Sequence, residues 1–473
     1  MTIGETIKWV DDLVWGPWLL ILLLGTGIYL MIRMRFLPLR NLGNALRAAF
    51  GGEKSASGTG RISSFASLTT ELAITLGTGN IIGVATAMVI GGPGALFWMV
   101  LTSFIGMATK LAESTLAVKY RSVNDKGEVT GGPMYTCLQA FKICLRCRQG
   151  EKIKLRIGRA AGILFAFFAV MASFGMGNMT QSNAIADALW VSFGVSKAIT
   201  GLVVTILTIL VVLGGIHFIG RVTQVLIPFV GIFYLLGTLI VILTHLENLS
   251  QALTGIFYSA WNPGAVSGGL FGTITVTAFE SLRWGVSRGI FSNEAGLGAS
   301  GITAAAADTE DYIKQGYISM TSVFIDTAVV CSLTGLAYGV SGAFQLVDEA
   351  GLPLTGTELT LAAFRTTFGG FGSNFISISI VLFAFATIIG WAYQGERAFE
   401  FLMGGRTKYN ILYRFVYGLV AFWGCVFSLE VVWNFSDICN GLMAVPNLIC
   451  VLVLSKEVCG EVCDDRGFDG RNF

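Results

Sequence analysis

"AITLGTGNIIG", Ala73 to Gly83, stands in the middle of an apolar run from Phe65 to Ile90. The run is long enough to cross a bilayer as one helix. Gly77, Gly79 and Gly83 nevertheless cost such a helix roughly 1 kcal/mol each relative to alanine, and Thr75, Thr78 and Asn80 lie among them. Gly79 and Gly83 have the small-x3-small spacing that lets two helices approach closely. Close packing does not call for the threonines and the asparagine, however, so a loosened backbone at membrane depth is the second explanation.

The surroundings fit a polytopic membrane protein. Over 473 residues the chain is 54% hydrophobic and 13% charged, with a mean hydropathy of +0.71, far from the average soluble domain. A net charge of +2 implies no nucleic-acid partner. The first apolar run lacks a basic n-region and a small-residue cleavage site, so no cleavable signal peptide is expected. Of nine cysteines, Cys144 with Cys147 and Cys459 with Cys463 are closely spaced. With His217 and His245 as the only histidines, a zinc site is weakly supported and reduced thiols are the plainer reading.

Eleven segments qualify by length as spanning helices: 17–32, 65–90, 95–120, 160–189, 199–218, 222–246, 268–303, 317–340, 376–403, 409–428 and 431–454. The loop after the first carries Arg33, Arg35, Arg40, Arg47, Lys54 and Arg61, and the loop after the third carries Lys126, Lys142, Arg146, Arg148, Lys152, Lys154 and Arg156. Both are therefore expected in the cytoplasm, with the N-terminus outside and the C-terminus inside. Between Phe36 and Phe50 apolar residues recur at helical spacing with arginines between them, an interfacial or covering helix.

Ten spans remain after the first. The leading member of each set of five is irregular: 65–90, and 268–303 with Gly285, Gly289, Gly296 and Gly298. Unpaired backbone in hydrocarbon costs several kcal/mol per group, so such breaks must be buried or line a polar cavity. A matched pair of interrupted helices in opposed halves points to the central site of a secondary transporter. Unwinding at 77–80 would free the carbonyls of Thr75 and Leu76 for a cation, and the N–H groups near Gly79, Asn80 and Ile81 for a carboxylate. The expected architecture is all-α and integral to the membrane: an N-terminal region (1–64), two inverted five-helix repeats (65–246 and 247–455) and a cytoplasmic tail (456–473).

Long ordered blocks resemble the alanine or glycine:cation symporter family, within the group sharing the leucine-transporter-type inverted repeat. They are "TLGTGNIIGVATA" (75–87), "GGPGALFWM" (91–99), "GMATKLAES" (106–114), "GGPMY" (131–135), "GMGNMTQSNAIAD" (175–187), "RGIFSNEAGLG" (288–298) and "GWAYQGERAFE" (390–400). The resemblance implies sodium-coupled uptake of a small amino acid, usually alanine or glycine. It puts the substrate on Thr75, Gly77, Thr78, Gly79, Asn80 and Gln181, closed by Trp391, with Leu282 and Trp284 contributed by the second broken helix. It puts Na+, the coupling ion, between the Thr75 and Leu76 carbonyls and the Thr387 hydroxyl. Departures are Ala386, where relatives often carry a second hydroxyl, Val100 in place of a tryptophan, and "GLGASG" at 296–301.

Charges inside spans cost at least about 2.5 kcal/mol apiece and demand a partner or a cavity. Lys110 with Glu113, and Glu280 with Arg283, are each three residues apart and are expected to pair. Arg283 facing the pocket instead would favour an anionic substrate. Asp187, Asp326 and Asp437 are candidates for cation relay or helix tethering, and Glu396, Arg397 and Glu400 for ion pairs at a helix end. The expectation is thus a carrier in the plasma membrane with lipid and a small amino acid as its partners and no obligate protein partner. Its rivals are a proton-coupled carrier using Asp187, Glu280 or Asp326, a carrier of another substrate such as glutamine, and a channel. An enzyme is not expected, because no H-x4-H or H-E-x2-H spacing exists.

Overall fold

The computed structural model describes residues 3–51, 62–144, 151–262, 265–267, 269–271, 274–348, 351–427 and 429–465. Lys54, Arg61, Arg146, Cys147 and Arg148 lie outside the described residues, as does the end of the tail.

Local chemistry sets many of the helix boundaries. A helix unpredicted from sequence, α1 (Ile3–Val14), precedes α2 (Pro17–Arg33), which starts on proline, where the missing N–H costs nothing. The amphipathic segment forms α3 (Leu37–Arg40) and α4 (Leu42–Phe50). Helix α5 (Ser64–Thr75) is capped by Ser63, whose hydroxyl accepts from Ala66 N–H at 3.1 Å. After a break come α6 (Ile82–Ile90) and α7 (Gly94–Lys119). The hairpin β1 (Ser122–Val123) with β2 (Val129–Thr130) leads to α8 (Pro133–Cys144).

Helix α9 (Glu151–Phe174) runs through a π-helical turn, Gly175–Met179, into α10 (Thr180–Phe193). Then follow α11 (Lys197–Leu213), α12 (Gly215–Thr244) and α13 (Leu249–Trp261). A second hairpin, β3 (Ala265–Ser267) with β4 (Ile274–Val276), replaces the start of the expected seventh span. Helix α14 (Ala278–Asn293) opens on a capping box between Thr277 and Glu280 and is separated by a break from α15 (Ala299–Ala304). Helix α16 (Tyr312–Val323), capped by Asp311, passes through a second π-helical stretch, Phe324–Cys331, into α17 (Ser332–Ser341). The chain ends with α18 (Gly356–Phe368), α19 (Gly370–Leu402), α20 (Asn410–Val426), α21 (Leu429–Val453) and α22 (Ser455–Asp464).

Seven helical stretches among the described residues are long and apolar enough to cross a membrane. Four of the eleven expected spans are not among them: those at 65–90 and 268–303 are each divided into short helices, and those at 199–218 and 409–428 form helices of only 17 residues, α11 and α20. Large apolar side chains such as Trp18, Val225, Phe229 and Phe371 are exposed on the outside, while Glu71, Lys110, Glu113, Glu294, Asp326 and Glu400 are buried. This inversion of the soluble pattern suits a bilayer, where water cannot satisfy a polar group at the surface of the bundle.

A candidate transport site between two helix breaks

The first interruption falls where the glycines stand. Helix α5 ends at Thr75; Leu76 (φ −73°, ψ 81°) and Gly77 (φ −132°, ψ −149°) leave the helical region, Thr78–Asn80 form a single 3₁₀ turn, and α6 begins at Ile82. Glycine is required here by close approach: a Cβ on Gly77 would lie 2.5 Å from Thr387 Oγ1 and 3.2 Å from Gln181 Oε1, and one on Gly79 would lie 3.2 Å from Ser292 Cα. The carbonyl end of α5 and the N–H end of α6 therefore face one another across a buried gap, the first favouring positive and the second negative charge.

Side chains and backbone of α19, the first π-helical turn and α10 close around this gap. From α19, Thr387 Oγ1 donates to Ala73 O at 2.9 Å, bringing the hydroxyl against the end of α5. Trp391, one turn further, is fully buried against Gly177 of the first π-helical turn. Gln181 follows that turn directly; its Oε1 accepts from Thr78 N–H at 3.2 Å and its Nε2 donates to Met176 O at 3.1 Å. Thr78 Oγ1 is buried and has no hydrogen-bond partner among the described residues. Of the residues expected at one place, the structure gathers Gln181 and Thr387 around the 75–80 segment, and it sets Trp391 one turn along α19, against Gly177.

Asn80 behaves differently from expectation. Its Oδ1 accepts from Gly77 N–H at 3.0 Å, and its Nδ2 donates to Asp326 Oδ1 at 2.7 Å and Asp326 O at 3.1 Å, so the amide braces the break. Likewise Thr75 O already accepts from Gly77 N–H at 2.9 Å, which leaves Leu76 as the less engaged of the two expected carbonyls. Asp326, considered only as an isolated acid, is a hub of the site: Ser292 Oγ donates to it at 2.8 Å and Thr327 Oγ1 at 2.6 Å. It lies in the second π-helical stretch, a device that re-aims side chains and recurs at functional sites. No hydropathy pattern marks such a turn, so only its threonine and aspartate hinted at it.

The second interruption falls at the later two of the four glycines named for its span. Gly285 and Gly289 lie inside α14, where Gly285 meets Ala95 O and Trp98, and the break runs from Glu294 (φ 59°) through Gly296 (φ 94°) to Gly298 (φ 83°). Leu282 and Trp284 are therefore not at the first break. Trp284 is ten residues before Glu294, about 15 Å of helix rise, and packs on Gly91 at the far end of α6. Phe291 and Ser292 take the place expected of them, next to Gly79.

Both expected i, i+3 ion pairs are also corrected. Lys110 Nζ donates to Asn293 O at 3.1 Å and to Ser300 Oγ, whereas Glu113 accepts from Asn447 Nδ2 and, at 3.4 Å, from Gly296 N–H. Glu280 caps its own helix by accepting from Thr277 N–H at 2.9 Å, and Arg283 reaches Asp12 of α1 at 2.6 Å. Lys110, Glu113 and Arg283 thus take partners from other elements in place of the helical neighbour that spacing alone suggests, whereas Glu280 takes the cap of its own helix.

Charged contacts bound the site at both ends. On the side of α1, Arg288 pairs with Asp437 at 2.7 Å, both buried, with the guanidinium 5.1–5.4 Å from the rings of Trp284, Phe291 and Trp433. Trp15 Nε1 donates to Asp437 O at 3.0 Å. At the opposite end Arg397 bridges Glu396 (2.6 Å), Glu400 (3.0 Å) and Glu128 (3.2 Å), while Arg414 holds Glu396. Asp187 pairs with Lys197 at 2.5 Å. Among the described residues no group of histidine, cysteine or acidic side chains is arranged to hold a metal by itself, and Cys459 and Cys463 are free thiols.

Two discontinuous helices meeting in a buried polar centre, sealed by ion pairs at either end of an apolar bundle, define a secondary transporter. The family model described as the sodium:alanine symporter family matches residues 1–466, and the chain belongs to that family. A sodium/alanine symporter of Methanococcus maripaludis is 46% identical over 463 residues, 98% of this chain and 97% of its own. A probable sodium/glutamine symporter of Bacillus subtilis is 34% identical over 450 residues, covering 95% and 87%. The solved structure of a Na+-coupled sialic acid symporter in a substrate-bound outward-open state shares the fold, with a TM-score of 0.55 at 12% identity over 93% of this chain and 86% of that one. The chain is a transporter, with a fold of the leucine-transporter type, and not an enzyme.

Proposed function

We propose that this protein is a sodium-coupled symporter that imports a small neutral amino acid, alanine or glycine, by alternating access. The observation that carries this reading is the packing of Thr387 Oγ1 and Gln181 Oε1 against Gly77, with no space for a Cβ. Sodium would be held by the Leu76 and Thr75 carbonyls and the Thr387 hydroxyl, and the substrate carboxylate by N–H groups of the 78–81 segment, which Asn80 braces through Gly77 and Asp326 and Gln181 braces through Thr78. Ion binding orders the break and thereby creates the carboxylate site, so the empty carrier does not leak. Trp391 leaves room for a small side chain. In this reading eleven spans form two inverted five-helix repeats behind one extra helix, in the plasma membrane, with the N-terminus outside and the C-terminus in the cytoplasm, as the lysine and arginine distribution favours.

Proteoliposome uptake of labelled alanine, glycine and glutamine, with and without an inward sodium gradient, tests it. Sodium-stimulated alanine or glycine uptake is expected; uptake indifferent to sodium would sink the reading, and glutamine alone would move the substrate to the chemistry of the Bacillus relative. Proton coupling is a second reading favoured by one observation. Of its three candidate acids, Asp187 is paired with Lys197 and Glu280 caps a helix at the surface, whereas Asp326 is buried among neutral donors. It requires uptake driven by a pH gradient in the absence of sodium.

A further inference from the structure

The second break, unlike the first, has both a lysine and a carboxylate against its freed backbone groups. Helix α14 stops at Asn293, and its terminal carbonyls carry the negative end of a sixteen-residue helix. Against that end stands Lys110 of α7, fully buried, donating to Asn293 O at 3.1 Å and to Ser300 Oγ, which in turn donates to Glu294 Oε2 at 3.2 Å. One turn along α7, Glu113 takes the freed Gly296 N–H at 3.4 Å and the amide of Asn447. Asn447 also donates to Gly296 O at 3.0 Å. Positive charge thus meets the carbonyl end and negative charge the freed N–H, the arrangement that an ion and a carboxylate would produce at an open break.

We propose that Lys110 is a tethered cation that holds the second break permanently in its unwound form, with Glu113 as the complementary anion. Coupling to a mobile ion is thereby confined to the first break, where no lysine or arginine forms a hydrogen bond with the described residues 73–81. Lys110 is a positioning residue; it acts on substrate through Asn293 and the adjoining Ser292 and Phe291. Desolvation makes the position demanding, because a buried charge without its partner is strongly destabilising and a buried carbonyl end without a cation leaves polar groups unpaired.

The test uses Lys110→Ala in the full-length carrier, with a small amine as the probe. Uptake by K110A in proteoliposomes is expected to fall roughly tenfold or more, and to be partly restored by ammonium or methylammonium chloride but not by choline chloride, while wild-type uptake does not respond. Thermal unfolding of the purified carrier gives a readout independent of which amino acid is carried: ammonium should raise the Tm of K110A and leave the wild type unmoved. Neutralising both charges, with Lys110→Met and Glu113→Gln together, should restore neither property; recovery would mean that the two merely balance each other and would overturn the proposal. Wild-type uptake by K110A, or a folded K110A whose uptake and Tm ignore ammonium, would overturn it too. Where K110A does not survive extraction, the yield of folded carrier is compared with ammonium or choline present throughout growth and purification; higher yield in ammonium is expected, and equal yields refute the tethered cation.

Discussion

Replacing Gly77 by alanine sets two physical readings of the first span against each other. In an uninterrupted helix the change would stabilise the protein by about 1 kcal/mol through propensity alone. In the structure the new Cβ would stand 2.5 Å from Thr387 Oγ1 and 3.2 Å from Gln181 Oε1, so Thr387 must retreat by about 1 Å to reach an ordinary van der Waals distance. Overpacking of this kind costs about 1–3 kcal/mol, equivalent to a loss of roughly 5- to 150-fold in an affinity that depends on the same geometry. G77A should therefore lower the Tm of the purified carrier and raise the sodium concentration needed for half-maximal uptake. Adding Thr387→Ala removes the clashing oxygen, so the double variant should regain Tm beyond additivity, yet it should not regain transport, because the hydroxyl facing Ala73 O is gone. A G77A carrier with raised Tm and unimpaired uptake would refute the broken helix as the seat of binding.

Asp326→Ala leaves the Asn80, Ser292 and Thr327 donors without their acceptor, and each unsatisfied buried group costs about 1–3 kcal/mol. Uptake should be lost, whereas Asp326→Asn, which keeps an acceptor oxygen, should retain the fold as judged by gel filtration and Tm. Arg288→Gln should destabilise by about 3–5 kcal/mol, since it strands Asp437 in the interior; adding Asp437→Asn should recover part of the lost Tm, and a single variant as stable as wild type would exclude the pair as a buried seal. By contrast, Arg283→Ala breaks a contact with the half-exposed Asp12. It should cost no more than about 1 kcal/mol and leave substrate preference unchanged, while a shift away from anionic amino acids would return Arg283 to the pocket.

The first break was legible because two signals coincide in eleven residues: glycines that weaken a helix, and hydroxyl and amide side chains that hydrocarbon tolerates only in company. The second span carries glycines too, but Gly285 and Gly289 serve close packing against α7, and only the pair at 296 and 298 has positive φ. A glycine makes both uses possible without choosing between them. The resemblance put Leu282 and Trp284 at a site that Phe291 and Ser292 adjoin instead.

Composition and hydropathy by themselves determined that the chain belongs in a membrane, roughly where its helices run, and that residues 77–80 are exceptional, because those properties depend on nearest neighbours along the chain. Which charge meets which was decided largely by tertiary structure, although Arg397 does pair with Glu396 and Glu400 of its own helix. Lys110 and Glu113 share a helix face three residues apart, yet they part to serve Asn293 and Gly296, and Arg283 and Glu280 separate in the same way. Within a dry interior every polar group must find its complement somewhere, and for these four residues the partners that satisfied that demand came mostly from elements distant in sequence.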